Sequence, residues 1–127
     1  MRWHDYDYAL IRVVPRVQTE QFVNVGVVLH ARTARFLGLH LHGETDLSLP
    51  DTIASNLLRT HLAAYVHVAE GGTEAGPIGL LPPSERFHWL TAPRSAVIQT
   101  SALRAGRTID PTATLARLFE QCIGPST

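Results

Sequence analysis

The 127-residue chain has a single cysteine, no excess charge of either sign and no long apolar run. Each absence removes a class of protein. One cysteine, Cys122, cannot form an internal disulfide, so a stapled extracellular scaffold is excluded and a reducing compartment is expected. Eleven acidic residues balance eleven basic ones, which argues against generic nucleic-acid binding, since that needs a basic surface. No stretch approaches the roughly 20 apolar residues of a spanning helix. The opening Met-Arg-Trp-His-Asp holds no apolar signal core, so a cytoplasmic location is expected. What remains is 45% hydrophobic with a mean hydropathy near zero, the profile of a globular chain. Its length fits one domain spanning 1–127.

The stretch from Phe22 to Leu29 organises the rest. Val23, Val25, Val27 and Leu29 share one side of a period-two pattern, which predicts a central strand with one aliphatic face. Asn24 and Gly26 interrupt the other side; both are poor strand formers. They either hold a ligand, with Gly26 leaving space over the sheet, or fix a β-bulge. Tyr6 to Arg16 reads as a first strand that ends near Pro15, and Ala34 to His42 as a third. Pairing Val13 with Val23 and Leu29 with Leu37 keeps the aliphatic sides together. That register sets Arg12 opposite Asn24, with His42 next in the row.

Pro50 to Ala69 carries Ile53, Leu57, Leu58, Leu62, Tyr65 and Val66 at helical spacing and stops at Gly71-Gly72. The stretch from Thr73 to Pro83 reads as a loop. Phe87 to Thr91 and Val97 to Ser101 read as strands, and Arg104 to Thr108 as a glycine-bearing loop. Asp110-Pro111 starts a last helix that runs to about Ile123. The order β-β-β-α-β-β-α predicts an α+β fold: a mostly antiparallel sheet of about five strands with two helices packed on one face.

Several residue groups could bind. Arg12 and Arg16 leave the mixed sheet face, and Arg94 sits at a proline corner; a guanidinium fork suits a carboxylate or phosphate. Ion pairs of these arginines with Glu20, Asp7 or Asp110, with stem packing on Tyr8, are the plainer alternative. His40 and His42, two apart on a strand, could ligate a metal, with His30 as a conceivable third ligand, but two such histidines are more often solvated and no metal is expected. No cofactor fingerprint, phosphate loop or nucleophile–base pair is present.

The pattern Tyr8-x3-Arg12-x2-Pro15-Arg16, then Asn24-Val25-Gly26-Val27, resembles the bacterial domain-of-unknown-function family 3037. So does Trp89-Leu90-x-Ala92-Pro93-Arg94-Ser95, continuing through Gln99 and Gly106 to Asp110-Pro111. Two departures stand out: Gln21 precedes Phe22 where an acid is expected, and Ala102-Leu103-Arg104 replaces a Pro-Val-His run. The resemblance implies no established activity. It implies association with kinases of the HipA type, hence a partner role. The uncovered sheet face (Leu10, Val14, Phe22, Val28 and Phe36) is expected to be closed by a loop, a protein partner or a second copy of the chain. An interaction or accessory domain is therefore the first reading, with Arg12, Asn24, Arg94 and Gln99 lining the contact or a small anionic ligand. The alternative is an enzyme acting on a phosphorylated or nucleotide substrate through an arginine-lined pocket.

Overall fold

The computed structural model describes residues 2–16, 21–42, 53–92 and 98–123; within these, side chains are described outside 14–16, 21–22 and 53–58. The sheet is built from β1 (His4–Arg16), β2 (Gln21–Ala31), β3 (Phe36–Leu41), β4 (Ile98–Thr100) and β5 (Arg104–Thr108). All pairings are antiparallel, in the order β3-β2-β1-β4, with β5 also on β1. The helices are α1 (Ile53–Glu70), α2 (Pro83–Thr91) and α3 (Pro111–Cys122). This is an α+β fold on a five-stranded antiparallel sheet.

β1 rather than β2 is the hub. One of its edges pairs with β2 along its length, while the other is shared by β5 at the start and β4 further on. Between Tyr8↔Arg104 and Ile11↔Thr100 the β4–β5 side has one residue too many. Ser101 absorbs the misfit. Its hydroxyl accepts from the Leu10 N–H at 2.8 Å, and its own N–H donates to the Leu10 carbonyl at 2.8 Å. A side-chain oxygen thus stands in for a missing ladder acceptor, so the Leu10 N–H is not orphaned.

The pairing of β1 with β2 contains a bulge. Ile11 faces Gly26 and Arg12 faces Asn24, so Val25 is the extra residue. A second irregularity falls between Val13 and Arg16, where Pro15 has no N–H to give. The Val25 bulge corrects the expected single aliphatic face. Val25 joins Ala9, Ile11, Val13 and Val28 in a core with Leu62, Tyr65, Val68, Phe87 and Leu90 from α1 and α2. Val27 and Leu29 turn the other way, joining Leu10, Tyr6, Leu115, Leu118 and Phe119 under α3. Val23 is 57% exposed. Val13 pairs with Val23, and Arg12 with Asn24, as the spacing predicts; Leu29, however, pairs with Gly38 and not Leu37. The shift follows from the bulge. Past Val25 it is Val28 and His30 that face α1 and α2, and β3 moves by one so that Leu39 and Leu37 lie beside them.

The helical layers also differ from expectation. Among the described residues three helices cover both faces of the sheet, not two helices one face; of the residues expected to need an outside cover, Leu10 and Phe36 pack with α3, and the side chains of Val14 and Phe22 lie outside the described residues. Leu115, Leu118 and Phe119 are buried there, each stabilising by about 1.5–3 kcal/mol. Val28 lies on the opposite face, in the α1/α2 core. Phe87 to Thr91 is the second half of α2 and not a strand, because Pro83 occupies the first helical turn and Phe87 and Leu90 are buried three apart. Arg104 to Thr108 is a strand and not a loop. Gly106 fits because it lies against the Tyr6 ring, where a Cβ would collide. The stretch from Thr73 to Leu80 forms 3-10 turns kinked at Gly76. The last helix is as expected: Asp110 caps it, accepting from the Ala113 N–H at 3.2 Å.

Candidate functional site

The β-ladder places Gln99, Arg12 and Asn24 in one row across β4, β1 and β2. β1 alternates, with Tyr6, Tyr8 and Leu10 toward α3 and Ala9, Ile11 and Val13 toward α1 and α2. The row therefore lies on the α3 face. The Val25 bulge keeps Asn24 on that face while Gly26 goes to the other. Three of the residues predicted from sequence are thus brought together by three different strands.

His40 of β3 and His42 just beyond it extend this face. The His40 ring stacks on Phe119 of α3 at 3.9 Å between centroids, 10° from parallel. His42 lies 6.1 Å from the same ring, and its N–H donates to the Val25 carbonyl at 2.7 Å. Two polar atoms of the row, Arg12 Nε and Asn24 Oδ1, are buried with no hydrogen bond among the described residues. Arg12, Gln99 and His42 each take part in further interactions. Asn24 Oδ1 is the clearer feature: an acceptor left dry costs about 1–3 kcal/mol, a cost that a bound donor would remove.

The remaining predicted residues fare differently. Gly26 opens no space over the row. It pairs with Ile11 and Leu41 on the α1/α2 face, where an added Cβ would lie 2.6 Å from Leu41 Cδ2 and 2.8 Å from the His40 carbonyl. Its role is close strand packing beside the bulge. Arg16 ends β1 opposite Gln21, and its side chain lies outside the described residues, as does Arg94. His30, the conceivable third metal ligand, faces α2 instead, 5.2 Å from the Phe87 ring. Among the described residues no group of three or more His, Cys, Asp or Glu side chains could hold a metal ion.

A second polar site escaped the sequence reading. At the start of β1, on the α1/α2 face, Asp5, Asp7, His30, Arg32 and Arg107 line an open concavity of about 430 Å³. Asp7 pairs with His30 on β2, and Asp5 with Arg107 on β5. The available signal was the alternation of Asp5 and Asp7 on β1, with His30 and Arg32 two apart where the facing strand ends. Burial pushes the His30 pKa below its usual value, with Asp7 opposing that shift and Arg32 adding to it.

Fold and site together define a sandwich whose sheet, covered on both faces, carries one polar row built from three strands. The chain belongs to a family described as "Protein of unknown function (DUF3037)", whose family model matches residues 8–123. No curated protein and no solved structure matches the chain. No helix among the described residues is long and apolar enough to cross a membrane.

Proposed function

We propose that this protein is an accessory interaction domain whose Gln99–Arg12–Asn24 row receives a segment of a protein partner. The row itself carries this reading. Arg12 offers planar donors to a carboxylate or a peptide carbonyl. Asn24 Oδ1 is buried without a hydrogen bond among the described residues, an acceptor that a peptide N–H satisfies once docking opens the row. A polypeptide supplies both complements at short spacing, whereas a simple anion supplies only acceptors. With Leu10 and Phe36 packed with α3, recognition through the row is polar. The family resemblance makes a kinase of the HipA type the first partner to test.

The alternative, an enzyme acting on a phosphorylated or nucleotide substrate, draws less support. It needs arginines converging on a concave pocket with a base in reach. The concavity that arginines do line lies at the other end of β1 and on the other face, without Arg12.

The test is co-purification from native-level expression, with the bound proteins identified by mass spectrometry. A specific partner is expected with the wild type. It should be lost from Arg12→Ala and from Asn24→Leu, both of which keep cooperative thermal unfolding. Retention of the partner by both variants overturns the reading, and unfolding of Arg12→Ala would make that arginine structural.

A further inference from the structure

The concavity at the start of β1 has the features of a built site. His30 is only 9% exposed, yet it is among the residues that line the open space, and its side chain makes no hydrogen bond among the described residues. The ring packs against the Phe87 ring, 5.2 Å away and tilted by 31°. At neutral pH a buried imidazole of lowered proton affinity presents one N–H donor and one bare nitrogen. The walls carry both signs of charge. Asp5 and Arg107 satisfy each other at the exposed rim, with Nε 3.4 Å from Oδ1, and Arg107 also lies over Trp3 at 5.8 Å. Asp7 and Arg32 form no ion pair among the described residues, and both act on His30 from opposite sides of its charge balance.

A ligand must match this lining. Two carboxylates repel a purely anionic molecule, and two guanidiniums repel a purely cationic one. A volume of about 430 Å³ falls in the range of small-molecule sites and is too small for a folded partner. A polypeptide terminus brings only one of the two charges. A free small molecule that carries both is the remaining complement.

We propose that this concavity binds a free α-amino-acid-type zwitterion, with Arg32 on its carboxylate, Asp7 on its ammonium group and the His30 ring as its floor. The site lies on the opposite face from the Gln99–Arg12–Asn24 row and does not depend on it.

The histidine ring resonances of the full chain report the test directly. Each free proteinogenic L-amino acid is titrated at millimolar concentration, with acetate and methylammonium as single-charge controls. At least one amino acid should shift the His30 signals saturably, and neither control should. Arg32→Gln and Asp7→Asn should each weaken binding by about tenfold or more, while Asn24→Leu leaves it unchanged. Arg32 is exposed just past the end of β2, so its variant decides the matter even if Asp7→Asn folds poorly. The proposal is overturned by the absence of a saturable shift with any amino acid, by equal binding in Arg32→Gln, or by an equal response to acetate alone.

Discussion

Val25 adds one residue to β2 and thereby sends Asn24 and Gly26 to opposite faces of the sheet. A ligand site that used both would have been impossible in this geometry. Gly26 is held by the approach of Leu41 and the His40 carbonyl, and Asn24 is left to the polar row. His30 shows the same dependence on context. In sequence it is a polar interruption of a strand; in the fold it is buried between Phe87 and the concavity. Its folded pKa is depressed, so the unfolded chain binds a proton more readily. Above the ordinary value of 6.5 both states are neutral and the ring contributes no pH dependence. As the pH falls through that value toward the folded one, the unfolded state takes up protons first and stability is lost. Urea midpoints should therefore drop between pH 7.5 and pH 5, and His30→Gln should reduce that drop. An unchanged drop in the variant would assign the acid sensitivity to other groups.

At the scale of elements, local signals were legible where the cause is local. The β1–β2–β3 meander follows from period-two alternation, and the end of α1 from Gly71-Gly72. The start of α3 follows from Asp110-Pro111. Asp110 accepts from the Ala113 N–H, and the buried Thr108–Thr114 hydroxyl pair, 2.6 Å apart, fixes the turn before the helix. Asp110→Ala should cost about 1 kcal/mol, read as a lower urea midpoint with an unchanged m-value. α2 was not legible, because five residues from Phe87 to Thr91 fit a strand as well as a helix. The decision lies upstream, in Pro83, and in the pairing of Phe87 with His30 across the layer. β5 was hidden for the opposite reason. Arg104 to Thr108 has no apolar periodicity, and only the waiting edge of β1 makes it a strand.

For the whole molecule, the central position of β1 has a measurable consequence. Its amides are bonded on both sides and lie beneath helices on both faces, whereas β3 pairs only with β2 among the described residues. Native-state hydrogen exchange should therefore find the slowest amides in Ala9, Leu10 and Ile11, approaching the global unfolding free energy, and faster exchange along Phe36–Leu41. Equal protection in both strands would contradict this ordering. The molecule also keeps its two polar regions apart. The row lies on the α3 face near the end of β1, and the concavity lies on the α1/α2 face near its beginning. Loss of one should leave the other intact.

The α+β class, the antiparallel meander, the two long helices and the alignment of Arg12 with Asn24 are all readable in the chain, because each follows from periodicity, caps and turns within a short span. Which way each half of β2 faces, the crossing of α3 to the second face of the sheet, and the meeting of Asp7, His30 and Arg32 around a hollow emerge only in the packed fold. Those outcomes turn on one inserted residue and on contacts between segments distant in the chain, and neither leaves a mark on local hydrophobic patterning.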